Sequence, residues 1–102
     1  MRSVLIHAGA KAEWEEAADY YAACAPELAR AFVAHVCESL DRIAKMPNAF
    51  PAYLQTRAQK CIVARFPYLV FFVQLKDVIW IVAIAHSKRK PDYWGDRLAD
   101  SP

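Results

Sequence analysis

A cluster of basic and aromatic residues near the C-terminus contains the side chains of this chain that are best suited to binding chemistry. Its members are His86, Lys88, Arg89, Lys90, Tyr93 and Trp94. Lysine and arginine bind phosphates and carboxylates through charged hydrogen bonds, flat rings stack on bases, and histidine exchanges protons near neutral pH. The cluster therefore suits an acidic partner. The alternative is that the cations only solubilise the end of the chain while Trp94 covers a sheet.

The two halves of the chain differ in charge, and the basic cluster lies in the more positive half. Residues 1–50 contain five Lys or Arg and seven Asp or Glu, whereas residues 51–102 contain eight and four. The C-terminal half is thus electropositive, although the formal net charge is only +2. Such an asymmetry favours an acidic protein or a nucleic acid as the partner, and it also occurs on ordinary solvated surfaces.

Composition and missing motifs exclude several classes of protein. With 57% hydrophobic residues and two glycines the chain is not disordered, and no apolar run approaches the ~20 residues that cross a bilayer. No signal sequence is visible, so we expect a cytoplasmic protein that does not enter a membrane. Without a glycine-rich phosphate loop or histidines at ligand spacing, we expect no cofactor and no metal. The three cysteines also lack such spacing, and we predict reduced, mostly buried thiols.

Two apolar runs upstream of the basic cluster predict an antiparallel β-hairpin. Residues 69–75 and 78–85 are rich in β-branched and aromatic side chains, and only Lys76 and Asp77 separate them. Neither residue brings the tolerance of positive φ that Asn and Gly give to such turns. This leaves open whether the loop takes a further residue from either strand.

The N-terminal half of the chain predicts a strand and a helical hairpin. Residues 3–7 are typical of a short strand, and an apolar stripe from Trp14 to Tyr21 then predicts a helix that ends near Cys24. Pro26 interrupts the pattern, and a second amphipathic helix runs from there to about Lys45. The acidic residues of the first helix are expected to form a solvated surface. They are Glu13, Glu15, Glu16 and Asp19.

The remaining segments complete an α+β fold. Residues 46–59 contain two prolines and predict an irregular connection, and residues 61–66 predict a strand that Pro67 ends. The order is βααβββ within one domain of residues 1–102, followed by a short tail. Helices and strands separated in this way favour a helical hairpin on one face of a small, mostly antiparallel sheet.

The predicted helices carry more apolar residues than so small a sheet can cover. Part of their surface is therefore predicted to be a groove for a helix or strand of a partner, with Trp14, Tyr21 and Phe32 as candidates. The alternative is that these rings belong to the core.

Five short motifs are distributed along almost the whole chain: EEAADYY, KMPNAFP, RFPYLVFF, IVAIAH and KRKPDYW. Together they resemble the RelE/ParE superfamily, the toxins of bacterial type II toxin-antitoxin modules. The FPY hairpin and the His-x-x-Arg-x-Pro ending, at His86, Arg89 and Pro91, are the most specific of them. The resemblance implies a βααβββ toxin that forms an oligomer with a co-encoded antitoxin, whose C-terminal segment wraps the helices and sheet.

The superfamily contains two kinds of toxin. RelE-like members cleave messenger RNA on the ribosome, and many have an arginine where this chain has Leu69, directly after the tyrosine that begins the third strand. The change removes a cation that would stabilise a phosphorane-like transition state. Lys60 matches a lysine of the second strand, but Ile62 stands where another is common. ParE-like members inhibit DNA gyrase without a recognised catalytic site, and the two most specific motifs are closer to theirs.

We therefore expect a gyrase inhibitor that is not an enzyme. One alternative is a ribosome-dependent endoribonuclease in which Lys88, Arg89 and Tyr93 supply charge and a proton donor. Another is a non-toxic module that binds an antitoxin or DNA. No catalytic residue is assigned on this basis. The candidates for target binding are Lys60, Arg65, His86, Lys88, Arg89, Lys90, Tyr93 and Trp94.

Overall fold

In the computed structural model, which describes residues 2–90 and 92–102, the chain forms four β-strands, two α-helices and two 3-10 segments. The strands are β1 (Ser3–Ile6), β2 (Gln59–Ile62), β3 (Tyr68–Gln74) and β4 (Val78–His86). The helices are α1 (Ala8–Cys24) and α2 (Pro26–Lys45), and the 3-10 segments are Pro47–Ala49 and Gly95–Asp100. The predicted order βααβββ and the α+β class are confirmed.

The strands lie in the order β1-β4-β3-β2. β3 is antiparallel to β2 and β4, whereas β1 runs parallel to β4, so the sheet is mostly antiparallel, as predicted. β1 has four residues and its last one, Ile6, lies opposite Ile81. Among the described residues, the C-terminal half of β4 therefore has no neighbouring strand on that side.

The first helix ends, and the second helix begins and ends, where the sequence predicts. The Nδ1 atom of His7 accepts a hydrogen bond of 2.8 Å from the backbone N–H of Gly9 and so caps α1. Ala25 is extended, with φ −166° and ψ 132°, because the residue before a proline avoids the helical region. Pro26 then opens α2, since the first turn of a helix needs no N–H donor.

One face of the sheet packs against this hairpin. Phe32, Val36 and Ile43 of α2 are fully buried there. They meet alternate strand residues, which point to one face of a sheet. These are Val70, Phe72, Ile79, Ile81 and Ile84. A β-bulge places Val82 and Ala83 together on the opposite face and returns Ile84 to the helical one.

The opposite face of the sheet is covered as well, by the C-terminal segment. Trp94 is 1% exposed and packs on Phe71, with ring centroids 4.8 Å apart. Tyr53, from the connection between the helices and β2, lies 5.7 Å from the same indole ring. Trp94 is thus a core residue, which corrects its prediction as an exposed part of a target-binding surface.

One strand prediction needs correction, and one alternative left open in the sequence analysis is decided. β2 covers Gln59–Ile62 rather than residues 61–66, because the chain turns after Ile62 and Arg65 adopts a positive φ of 68°. The turn between β3 and β4 takes Leu75 from the predicted strand, and neither Lys76 nor Asp77 has a positive φ. The guanidinium of Arg2 holds this turn instead, donating to the side chain of Gln74 at 2.6 Å and to the carbonyl of Leu75.

The cysteines also differ from the prediction. Cys61 is buried, but Cys24 and Cys37 are exposed on the helices. Burial raises the pKa of the Cys61 thiol, which therefore stays protonated near neutral pH. Within the described part of the chain, no helix is both long and apolar enough to cross a membrane.

Candidate functional site

The basic cluster begins at the C-terminal end of β4, where the strand leaves the core. Lys88, Arg89 and Lys90, the basic turn, are exposed. Backbone and side-chain hydrogen bonds to His86 fix the turn. The N–H of Lys88 donates to His86 Nδ1 at 3.1 Å, and the N–H of Arg89 donates to the His86 carbonyl at 3.0 Å. The N–H of Ser87 donates to the Pro67 carbonyl at 2.8 Å, which ties the turn to the loop between β2 and β3.

Residues 93–100, the C-terminal strap, hold the other side of the basic turn. Trp94 anchors the strap in the core, as described above. Polar contacts hold it elsewhere. The guanidinium of Arg57 donates to the Leu98 carbonyl at 2.9 Å, and His7 Nε2 lies 2.8 Å from a carboxylate oxygen of Asp100. The basic turn is therefore a short loop between two anchored segments rather than part of a free tail.

A single carboxylate, that of Glu13 in α1, fastens the strap to the helices. Both of its oxygens accept hydrogen bonds from the guanidinium of Arg97, at 3.0 and 3.1 Å. The hydroxyl of Tyr93 donates to the same carboxylate at 2.5 Å. The side chain of Glu13 is 10% exposed. The expectation that the acids of α1 form a solvated surface is therefore wrong for Glu13, whereas Glu15, Glu16 and Asp19 are exposed as predicted.

The burial of Glu13 follows from the shortness of β1. Beyond β1, the backbone N–H of Ile84 donates to Glu13 at 3.1 Å, and the carbonyl of Val82 accepts from Arg97 at 3.0 Å. The ion pair thus satisfies backbone groups of β4 that a longer strand would otherwise bind. A buried carboxylate is tolerated only when charged and polar partners surround it, and Glu13 has both.

These contacts keep Tyr93 and Arg97 in fixed protonation states. Burial, followed by the hydrogen bond to Glu13, raises the pKa of Tyr93 well above its usual value of 10.0. The phenol is therefore neutral at physiological pH, and its O–H donates a hydrogen bond to Glu13 rather than to solvent. Burial lowers the pKa of Arg97, but the hydrogen bond and charge of Glu13 outweigh this, and the net shift is upward. Arg97 stays a cation.

Arg89 connects this buried cluster to the surface. Its guanidinium carbon lies 3.8 Å from the centroid of the Tyr93 ring, a cation–π contact, and one of its nitrogens lies 3.6 Å from a Glu13 oxygen. Its side chain remains 52% exposed. Half of this cation is therefore available to a partner although its position is set from within.

Two hollows open on either side of Arg89. A cleft of about 300 Å³ lies between α1 and the ends of β3 and β4. Besides Arg89 its lining includes Glu13, Glu16, Tyr20, Tyr68 and His86. A second hollow, of about 180 Å³, opens on the strap side. Its lining includes Leu69, Phe71, Lys90, Tyr93 and Trp94. Cations, rings and apolar walls meet here, an arrangement suited to holding a partner's side chain.

A family model of known proteins matches residues 4–91, and it describes the ParE toxin of the type II toxin-antitoxin system, parDE. The chain belongs to the ParE toxin family. No curated protein matches it. Among solved structures, a chain of the chromosomal ParDE toxin-antitoxin system from P. aeruginosa is similar in fold, with a TM-score of 0.75 and 20% sequence identity. The match covers 86% of this chain and 98% of the other.

In this ParE-family protein, five of the predicted target-binding residues lie together at the end of β4. They are His86, Lys88, Arg89, Lys90 and Tyr93. Lys60 is more distant, in β2 opposite Phe71, and is half-buried. Arg65 is exposed in the turn between β2 and β3, at the same end of the sheet as the basic turn. Pro91, part of the motif that carried the resemblance, lies outside the described residues.

Two positions at which the resemblance implies cations in RNA-cleaving members, 62 and 69, are apolar here. Leu69 lies beside Ile62 in the register of β2 and β3 and forms part of the wall of the strap-side hollow. Ile62 is 65% exposed. The patch that these two residues form is therefore hydrophobic.

The predicted groove on the helices is only partly present at the surface. Phe32 is fully buried and packs on the rings of Tyr21, Phe66 and Tyr68, with centroids 5.0 to 5.2 Å away. Its assignment to a partner groove is therefore wrong. Trp14 and Tyr21 are half-buried against the sheet. The exposed apolar surface of the helices comes from residues that the sequence analysis did not select. They are Tyr20, Leu28 and Val33, which are 64%, 41% and 38% exposed.

Sequence reasoning also missed the roles of Glu13 and Arg97. An acidic residue on a predicted helix is usually solvated, and an arginine in a tail is usually exposed. The two residues are 84 positions apart, so no local spacing relates them. The only sequence cue is the short first strand, which predicts an uncovered edge on a longer neighbouring strand.

Proposed function

We propose that this ParE-family protein is a toxin that inhibits DNA gyrase by binding, without catalysing a reaction, and that a co-encoded antitoxin neutralises it. The observation that carries the proposal is the state of the polar groups around the basic turn. The phenol of Tyr93 is neutral and bound to Glu13, and Leu69 and Ile62 make the adjacent surface apolar. This surface has charge for recognition, and its phenol is engaged by Glu13 rather than free to act as a proton donor.

The family membership supports a toxin, and the exposed basic turn supports an acidic partner surface. Lys88 and Lys90 have no ion-pair partner among the described residues, and Arg89 is half exposed. Charges of this kind speed the encounter with an anionic patch and fix its orientation.

A ribosome-dependent endoribonuclease is the second candidate function, because Arg89 and Lys90 line the strap-side hollow and Lys60 lies in β2 opposite Phe71, another lining residue. It requires a group that stabilises the developing negative charge on phosphate. In the described residues, the side chain at position 69 is an isobutyl group rather than a guanidinium, so this role falls to Lys90 or Arg89.

The proposed antitoxin contact is the outer surface of the helical hairpin. Tyr20, Leu28 and Val33 expose apolar side chains there, and a hollow of about 350 Å³ lies along α2 beside Ala29 and Val33. An amphipathic antitoxin helix would cover this surface. We expect hydrogen exchange over residues 10–45 to slow when the antitoxin binds. Unchanged protection there would rule out this surface as the contact.

The decisive experiment combines two assays on the same preparation. Toxin purified with its antitoxin and then released is added to gyrase in a DNA supercoiling assay, and to a translation extract in which transcript ends are mapped. We expect supercoiling to stop and transcripts to stay intact. Cleavage of transcripts in the ribosomal A site with normal supercoiling would overturn the proposal in favour of the endoribonuclease, and no effect in either assay would favour a non-toxic binding module.

A further inference from the structure

Glu13 is a mostly buried carboxylate that lies beside the exposed basic turn. We infer that Glu13 is a positioning residue, which holds the guanidinium of Arg89 in the orientation that meets the target. The inference rests on the proposed function, since it takes the basic turn as part of the target-binding surface. It assigns to a residue of α1 a role in binding at the opposite end of the chain.

The geometry connects Glu13 to Arg89 by two routes. The carboxylate attracts the guanidinium directly, at 3.6 Å. It also fixes the Tyr93 ring through the phenol hydrogen bond of 2.5 Å, and that ring lies under the guanidinium at 3.8 Å. The carboxylate and the ring together form a platform on which the Arg89 side chain rests.

Arg97 explains why this platform does not weaken the positive surface. Its bidentate contact, at 3.0 and 3.1 Å, neutralises the carboxylate from the buried side. One carboxylate with two guanidinium groups has a net charge of +1, so the cluster still attracts an anion. Arg97 therefore stabilises the buried side of the cluster, whereas Arg89 presents its charge at the surface.

Fixing Arg89 in advance benefits binding for an entropic reason. A long, flexible side chain loses rotamer freedom when it is immobilised at an interface, and that loss weakens binding. Lys88 and Lys90 have no such platform in the described structure and bear the full loss. Arg89 has already lost most of its freedom in the unbound protein, so the contact it makes is stronger and more specific in direction.

The test is a double-mutant cycle between Glu13→Gln and Arg89→Ala, with gyrase inhibition as the readout. Glutamine keeps the size of the side chain and an oxygen acceptor for the Ile84 N–H, but it removes the charge. We expect Glu13→Gln to raise the concentration for half-inhibition about fivefold, the size of a partly exposed ion pair. In the Arg89→Ala background the same change should have no further effect. Equal effects in both backgrounds would overturn the positioning role, because Glu13 would then act only through general stability.

Two controls separate positioning from folding. All variants are assayed at a temperature where circular dichroism shows each of them folded. Glu15→Gln is the matched control, since Glu15 lies on the same helix, is exposed, and has no ion-pair partner among the described residues. We expect it to inhibit gyrase like the wild type.

A spectroscopic readout keeps the inference testable even if gyrase is not the target. In ¹⁵N-labelled protein, the Nε–H signal of Arg89 should be sharp in the wild type and in Glu15→Gln, and broadened by solvent exchange in Glu13→Gln. An Arg89 signal that is the same in all three proteins would overturn the positioning role. A wild type that leaves supercoiling unchanged would instead overturn the proposed function, with the Arg89 signal still deciding whether Glu13 holds this side chain.

Discussion

The carboxylate of Glu13 and the guanidinium of Arg97 form a bidentate ion pair between residues 84 positions apart in the sequence. Both side chains are mostly buried, with 10% and 20% of their surfaces exposed. The pair joins the start of the first helix to the end of the chain. It therefore holds the C-terminal strap against α1 and so helps to fix the position of the basic turn, which precedes the strap in the sequence.

The first prediction is that breaking this pair is costly. Arg97→Ala leaves a buried carboxylate with one fewer cation, and we expect it to lower the free energy of unfolding by about 3 kcal/mol. Lys45→Ala is the matched control, because its ion pair with Asp41 has the shorter distance of 2.8 Å but is exposed. We expect the control to lose no more than about 0.5 kcal/mol. Urea denaturation of both variants measures the difference, and equal losses would contradict the structural role of Glu13.

The second prediction concerns Gly9, which makes room for Arg97. A Cβ atom at position 9 would lie 2.7 Å from the guanidinium carbon of Arg97. Because Glu13 holds that guanidinium in place, we expect Gly9→Ala to destabilise the protein, although alanine favours a helix by up to about 1 kcal/mol. In the Arg97→Ala background the same substitution should become stabilising. Thermal unfolding of the four proteins tests this reversal of sign, and a stabilising effect in both backgrounds would show that Arg97 simply moves aside.

The third prediction is a loss of stability in alkali. The pKa of Tyr93 is higher in the folded protein than its usual value of 10.0, so at high pH the unfolded chain loses this proton first. The contribution of Tyr93 to the free energy of unfolding is complete below the usual pKa of tyrosine and declines as the pH rises above it. The side chain of a Tyr93→Phe variant cannot ionise. Between about pH 9.5 and 11 we therefore expect the free energy of unfolding of this variant to fall less steeply with pH than that of the wild type. Urea midpoints across this range provide the measurement. Identical slopes for the two proteins would show that the phenol is not held by Glu13. Tyr21, Tyr53 and Tyr68 contribute to the remaining slope, because burial raises their pKa values too.

The fourth prediction separates Trp94 from the exposed residues around it. The indole ring is 1% exposed and packs between Phe71 and Tyr53. We expect Trp94→Ala to cost about 3 to 5 kcal/mol, as large aromatic truncations in a core do. Met46→Ala, at a side chain that is 65% exposed, is the control and should change stability by less than about 0.5 kcal/mol. A small loss for Trp94→Ala would mean that the strap does not depend on this anchor.

The parts of this structure that could be predicted from sequence are those with local causes. Helical periodicity and Pro26 determine the two helices, and two adjacent apolar runs determine the hairpin of β3 and β4. The predictions were wrong where contacts between residues distant in the sequence determine the structure. Residues 61–66 are apolar except for Arg65, but the chain turns after Val63, with Phe66 half-buried. The strand begins earlier, at Gln59, whose side chain donates to the carbonyls of Pro47 and Phe50.

In the candidate site, too, the features with local causes could be predicted from the sequence, and those that depend on distant residues could not. The basic turn is visible in the sequence because its charges are consecutive. Its platform is not, because Glu13 belongs to a helix whose other acids are exposed, and only the short β1 makes its burial favourable. Phe32 likewise belongs to an apolar stripe that is identical in sequence pattern whether it faces the sheet or a partner.

The last prediction is that charge removal from the basic turn separates binding from folding. Arg89 is 52% exposed and Lys90 is exposed, so replacing both by alanine should change the free energy of unfolding by no more than about 1 kcal/mol. The same change should weaken toxicity and any salt-sensitive binding to the target, because screened surface charges guide that association. Lys76→Ala is the control, since it removes an exposed cation from the turn at the other end of the sheet. Growth of cells that express each variant, together with melting temperatures, gives both measurements. A double variant that stays fully toxic at normal expression would show that these cations are only solvated and that the target contacts a different surface.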